Sequence, residues 1–203
     1  MESIDELLEQ CKQTHGHLCA GQFLGVRMAL LGCERLGIDD PRGADRKKLI
    51  VWVEIDRCMT DAVAAVTGTR LGKRTLKFLD YGKVAATFLN LDTGEAVRIV
   101  ARESSRDLAN RMHPEIESKK DRQMITYREA DDDELFSTSA VEISVNEMDL
   151  PGHPRSRVIC AECGEGINDG RELNTVDQGV LCHSCAFGTY YQTKTKSLAM
   201  NPA

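Results

Sequence analysis

Two C-x-x-C pairs, Cys160-Ala-Glu-Cys163 and Cys182-His-Ser-Cys185, stand eighteen residues apart and constrain this chain more than any other feature. Each pair can turn tightly enough to aim both sulfurs at one ion, and two such pairs complete the tetrahedral four-sulfur shell of a structural zinc site. Gly164 directly follows the first pair, where the backbone reversal of a metal knuckle needs a residue with little steric restriction. A module of about forty residues lacks a sufficient core, so zinc binding is expected to supply its folding free energy. The competing reading of the same four positions is two disulfides or four free thiols. Disulfides belong to oxidising compartments, whereas the acidic, amphipathic stretch MESIDELLEQ lacks the basic start and apolar core of a secretory signal. The expected location is the cytoplasm, where eight cysteines point to metal ligands, thiols or catalysis.

Residues 160–190 resemble the short zinc fingers of the DksA/TraR type in their C-x-x-C-G start, mixed middle stretch and closing C-x-x-C. The resemblance implies a fold, a small treble-clef-like finger, and no particular partner. His183 lies between two of the ligands and is expected to face solvent. Pro151-Gly-His-Pro154 stops regular structure, dividing the chain into a core domain over residues 1–150 and a zinc-finger domain over 155–203. Of the formal charge of -6, residues 1–150 carry 21 basic against 27 acidic side chains and residues 151–203 five of each. Nucleic-acid binding depends on neutralising phosphates, so this balance counts against it. No apolar run approaches the roughly 18 residues of a membrane span.

The core reads as α+β, an antiparallel or mixed sheet with packed helices. Ser3 and Glu6 form a capping box for a first helix carrying Leu7, Leu8 and Cys11 inward. A second helix is expected over Ala20 to Arg35, with Gly21, Gly25, Ala29 and Gly32 making a face of small residues where another backbone can approach. Leu49 to Ile55 reads as a buried strand, followed by a short helix from Thr60, which caps it, to Val66, ended by Gly68. Val84 to Leu91 and Ala96 to Ala101 form a hairpin through Asp92-Thr-Gly94. Ser104 to Ala130 is helix-compatible with a break at Pro114. The acidic run Asp131 to Glu134 is expected to be a solvated loop, and Val141 to Val145 a last strand.

His17 and Cys19 just before one helix, and Cys58 just before another, could meet as one nitrogen and two sulfurs at two helix N-termini. Such a set leaves a metal position open to water or substrate. On spacing alone, a capped loop at His15-Gly-His17 and a buried thiol at Cys58 remain open readings. The longer pattern, His15-Gly-His-Leu-Cys-Ala-Gly21, Cys58-Met-Thr-Asp-Ala62, Thr67-Gly-Thr-Arg-Leu-Gly-Lys73 and Asp80-Tyr-Gly-Lys83, resembles the E-subunit family of formylmethanofuran dehydrogenase over roughly residues 10–145. The family includes members with a C-terminal finger of this kind. The resemblance implies an α+β core, a homodimer, and a pocket holding zinc or another divalent metal through His17, Cys19 and Cys58. Ala20 departs from the family's usual proline but removes no ligand.

Beside that pocket, Asp61 is a candidate proton acceptor, or a carboxylate that accepts a hydrogen bond from a metal ligand, with a plain helix-start carboxylate as its alternative. Lys73 and Lys83 are candidates for an anionic substrate and Tyr81 for the cavity wall. Cys11 and Cys33 match no ligand spacing and read as buried thiols. The molybdenum or tungsten and iron–sulfur chemistry of formylmethanofuran dehydrogenase needs more chain and more cysteines than this. The expected function is a zinc protein associated with that methanogenesis-related pathway or a similar one, in which metal on His17, Cys19 and Cys58 lowers the pKa of bound water and Asp61 moves the proton in chemistry on a small molecule. Two other readings compete: an adaptor or regulator whose finger docks a protein or, against the charge balance, a nucleic acid while its core senses a metal or ligand, and thiol redox chemistry at Cys19 and Cys58.

Overall fold

The computed structural model describes residues 2–193. The chain divides into two compact units, residues 1–145 and 146–203. The first is α+β. Helices α1 (Ile4–His15) and α2 (Ala20–Arg35) precede strand β1 (Leu49–Val53), helix α3 (Cys58–Thr67) and strand β2 (Leu76–Phe78). A hairpin of β3 (Ala85–Asn90) and β4 (Ala96–Ala101) follows, then α4 (Ser104–Met112), α5 (Lys119–Glu129), α6 (Asp132–Leu135) and β5 (Phe136–Val141). The sheet order is β2-β1-β3-β4-β5. Only the β1–β2 pair is parallel, so the sheet is mixed.

Local chemistry explains most of these boundaries. The Ser3 hydroxyl accepts from Glu6 N while the Glu6 carboxylate accepts from Ser3 N at 2.8 Å, completing the capping box. Gly16 ends α1 at φ 88°. In the hairpin, Asn90 Oδ1 accepts from Asp92 N at 2.9 Å and Gly94 takes φ 77°. Asn90 Nδ2 also donates to Leu36 O at 3.1 Å, tying the hairpin to the end of α2.

Helix α2 is the centre of this unit, buried at most positions from Gln22 to Cys33. A β-carbon on Gly25 would lie 2.6 Å from Met59 O and 2.7 Å from Ala62 Cβ, so α3 packs directly on the α2 backbone there. The small-residue face divides between two neighbours, because Gly32 meets the Phe88 ring of β3 instead. Arg27 satisfies the end of α5: it donates to the carbonyls of Tyr127, Arg128 and Ala130 at 2.9–3.1 Å and to Asp132 Oδ1 at 2.7 Å. These are carbonyls that a helix C-terminus leaves without an internal partner.

Four expectations are corrected. The last strand of the sheet is Phe136–Val141, ahead of the predicted Val141 to Val145, because pairing with β4 sets its register, Ala101 with Phe136 through Ala96 with Val141. The acidic run is largely the short helix α6, with Asp131 and Glu134 making its capping box. Thr60 does not cap α3, which starts two residues earlier with Arg57 at its N-cap; the Thr60 hydroxyl donates to Ile55 O instead. Strand β1 stops at Val53, short of the expected Ile55.

The second unit holds two hairpins, β6 (Arg157–Ile159) with β7 (Gly166–Asn168) and β8 (Leu173–Thr175) with β9 (Gly179–Leu181), and then α7 (His183–Phe187). Its buried apolar cluster consists of Cys160, Ile167 and Leu181. Among the described residues no helix is long and apolar enough to cross a membrane.

The α2–α3 contact yields a direct test. Gly25→Ala, which pushes on backbone, is expected to cost about 2 kcal/mol in urea unfolding, in the range of overpacked cores. Gly21→Ala, whose added carbon meets nothing closer than 3.4 Å, is expected to stay within about 0.5 kcal/mol of the parent.

Candidate metal centres

In the second unit the Sγ atoms of Cys160, Cys163, Cys182 and Cys185 all lie within 4.8 Å of one another. The first pair sits in the turn between β6 and β7, where Gly164 takes φ 74° and its N–H donates to Cys160 O at 3.0 Å. The second pair opens α7, with Cys182 at the N-cap. Backbone N–H groups aim at the sulfurs: Cys182 N donates to Cys160 Sγ at 3.3 Å and Cys185 N to Cys182 Sγ at 3.4 Å. The N–H groups of Cys163 and Cys182 draw the Cys160 thiol down to about 6, and that of Cys185 lowers Cys182. Cys185 is pushed up, first by its hydrogen bond with Cys182. Four sulfurs this close cannot all ionise without a cation among them, and the cluster fits a metal ion such as zinc.

The second constellation lies where α2 and α3 begin. The candidate ligand atoms of His15, His17 and Cys19 fall within 4.8 Å of one another. Cys58 packs against Cys19: the carbon a side chain would add at Gly21 lies 3.4 Å from Cys58 Cβ and 3.7 Å from Cys19 Sγ. Both thiols stand at helix starts, Cys19 as N-cap of α2 and Cys58 as first residue of α3. Gln22, fully buried, fixes the approach: its Oε1 accepts from Cys19 N at 3.2 Å and its Nε2 donates to Cys11 O at 3.3 Å.

A helix start by itself favours a thiolate. Cys58 is instead raised above its ordinary range, first by burial and then by its hydrogen bond with Cys19. A cation shared by the two sulfurs is the group that would let both ionise.

Asp61 Oδ2 lies 2.9 Å from His15 Nδ1. The carboxylate accepts, so Nδ1 carries the proton and the Nε2 lone pair is left for a ligand or a proton. His15 is the residue that spacing arguments passed over. Its signals were the H-x-H-x-C run and the position of Asp61 three residues after Cys58, on the same face of α3.

An open cleft of about 630 Å³ is walled by Cys19, Cys58, Arg57, Lys83, Leu24 and Tyr127, among others. A recess of about 410 Å³ shares Arg57 and Cys58 and adds His15, Asp61, Leu71 and Phe78. Lys83 therefore lines the same cleft as the two thiols. Lys73 and Tyr81 wall neither space, and Tyr81 is 61% exposed.

A mixed α+β core with a His/Cys cluster at paired helix starts, plus a four-cysteine module, defines a protein with candidate metal-binding sites in both units. Residues 14–151 match the family described as FmdE, molybdenum formylmethanofuran dehydrogenase operon, and the chain belongs to that family. A crystal structure of a tungsten formylmethanofuran dehydrogenase FmdE-like protein from Syntrophus aciditrophicus shares its fold, with a TM-score of 0.63 over 94% of this chain and 96% of that one, at 24% identity. A curated Archaeoglobus fulgidus relative, described as a probable S-adenosyl-L-methionine-binding protein, is 28% identical over 93% of this chain. The chain spans 54% of that relative's length.

The remaining cysteines are of another kind. Cys11 and Cys33 are buried, and burial raises their thiols to about 11 and about 12. Alkylation of the native protein at pH 8.5 is therefore expected to spare both until denaturant is added, as mass mapping would show. The sign for stability follows: the neutral thiol is the form folding favours, so their contribution is complete below about pH 9 and is lost as pH rises through 11 and 12. Urea midpoints from pH 8 to 11 should fall, and should fall less in Cys33→Ala.

Proposed function

We propose that this chain is a zinc protein with two sites of different purpose. The finger holds zinc through Cys160, Cys163, Cys182 and Cys185 to fold its own unit, and the core holds zinc or another divalent metal through His17, Cys19 and Cys58. The observations that support the second site are the cluster of His15, His17 and Cys19 ligand atoms ahead of α2 and the approach of Cys58, at the start of α3, to Cys19, the two cysteines lining an open cleft of about 630 Å³. One nitrogen and two sulfurs fit zinc and leave a position for a small molecule.

When bound, the ion supplies Lewis-acid polarisation and a lowered pKa for water. The chain supplies the rest. Asp61 fixes the His15 tautomer so that Nε2 can take and return a proton, which moves the expected role of Asp61 from carrying the proton to holding its carrier. Arg57 and Cys58 border both the cleft and the recess that contains His15, so the proton acceptor and the small molecule share one wall. A cytoplasmic, pathway-linked role and a homodimer are part of this reading. The exposed apolar residues Leu71, Phe78, Leu79 and Tyr81 around the edge strand β2 support self-association.

A second reading has support in the finger. Ile159, Val176, Phe187 and Tyr190 are large apolar side chains left exposed on that small unit, Tyr190 at 99%. An adaptor would bind a protein partner through them.

Elemental analysis of the full chain is expected to give two metal equivalents, falling to one in Cys58→Ser with the fold intact by circular dichroism. Two equivalents retained in that variant would sink the core assignment. Cys163→Ser is expected to lose the other equivalent and to expose residues 155–193 to protease, because a structural zinc supplies roughly 10 kcal/mol or more to such a module. His15→Ala is expected to keep both equivalents; loss of one would make His15 a ligand.

A further inference from the structure

We propose that the cleft beside Cys19 and Cys58 is a binding site for a small organic anion, a phosphate or carboxylate carried on an apolar body. The chain as a whole is acidic, at -6. The walls of this cleft are the reverse, with Arg57, Lys83, Arg102, Arg106 and Lys119 facing a single acid, Glu103. Glu103 is matched by Arg106 at 3.3 Å. Arg102 is braced by Nε donating to Phe136 O at 2.8 Å, which leaves its terminal nitrogens as donors. Arg57, Lys83 and Lys119 have no ion-pair partner among the described residues.

A basic wall is often no more than the solvated face of one helix, but these cations come from separate places. Arg57 is the N-cap of α3, Lys83 precedes β3, Arg102 follows β4, Arg106 lies in the first turn of α4, and Lys119 is the first residue of α5. Three of them sit at helix N-termini, where the helix already presents partial positive charge and a cation is unfavourable. The first turns of α2, α3, α4 and α5 all contribute to the walls, through Gly21, Cys58, Ser105 and Lys119 among others. Four positive helix ends and five cations around one space cost the folded chain electrostatic energy that a bound anion would relieve. Local rules broken together in this way mark functional sites.

The remaining walls say what the anion is attached to. Leu24, Ile55, Met59, Val84 and Tyr127 give the cleft an apolar side, and its volume is that of a site for one small organic molecule. This ligand class belongs to the same cleft as the metal reading. It rests on that reading for the ligand's relation to the core ion, whereas the cationic contacts need no metal.

The test is calorimetric titration of the full-length protein with phenyl phosphate, benzoate, phenol and inorganic phosphate. Phenyl phosphate or benzoate is expected to bind at least about tenfold more tightly than phenol, a difference of about 1.4 kcal/mol, and to weaken as salt rises. Preference for phenyl phosphate identifies a phosphate ligand and preference for benzoate a carboxylate. Binding of neither, or of phenol equally well, overturns the proposal. The double variant Lys83→Met/Lys119→Met is expected to lose about tenfold in affinity, whereas Lys73→Met, outside the walls, keeps parental binding. Equal losses in both overturn it. Cys58→Ser separates the two readings: retained anion binding there supports the cationic walls whether or not the core holds metal. Loss in Cys58→Ser with the double variant unaffected would place the anion on the ion and overturn the assignment to the walls.

Discussion

The contact between α2 and α3 at Gly25 is the constraint on which the core site depends. With no β-carbon at that position, the carbonyl of Met59 comes to within 2.6 Å of where one would be, and the two helices run side by side from neighbouring first turns. That alignment brings the N-cap cysteine of one helix against the first-residue cysteine of the other. Because the contact is made by backbone, and cores respond stiffly to added volume, packing fixes how far apart the backbones of the two cysteines lie. Gln22 adds a second restraint, holding the backbone of Cys19 to the carbonyl of Cys11.

One reactive group serves three purposes in this chain because its surroundings differ. Cys11 and Cys33 meet hydrocarbon and remain neutral thiols. The finger cysteines meet backbone N–H groups and one another, so some are drawn toward thiolate and others resist it, a tension that a cation resolves. Cys58 lies between these cases: it is at a helix start, which favours ionisation, but it is half-buried against a second thiol, which opposes it. A positive ion at the proposed core site would tip that balance toward the thiolate, whereas Cys11 and Cys33 stay neutral in their buried surroundings.

The two units solve the problem of folding differently. The first buries a continuous cluster from Leu7 to Phe136 around α2 and has apolar surface enough to fold by packing. The second has, among its described residues, Cys160, Ile167 and Leu181 as buried apolar ones, and its two hairpins have strands of three residues each. Its hydrogen-bonded turns organise around four sulfurs, and on the proposed reading a metal held by them stands in for an apolar core.

What could be read from the amino-acid order is what short-range chemistry decides. The Ser3–Glu6 capping box, the hairpin through Asp92-Thr-Gly94, the extent of α2 and the paired C-x-x-C cluster each depend on residues within a few positions of one another, or on a spacing that leaves one geometry for an ion. The neighbourhood of Cys19 and Cys58 stayed open on spacing alone, and the longer pattern of motifs shared with the family is what joined them. Other features escaped because their partners are remote. Strand β5 takes its position from pairing with β4 rather than from its own alternation, and β2 pairs in parallel with β1 across the intervening α3. His15 finds Asp61 forty-six positions away. The basic walls of the cleft come from five positions between Arg57 and Lys119 that no window of sequence contains together. Local hydrogen bonding and periodicity are written along the chain, whereas the juxtaposition of charges, sulfurs and strands is decided by which surfaces pack, and here that was settled by the tertiary structure.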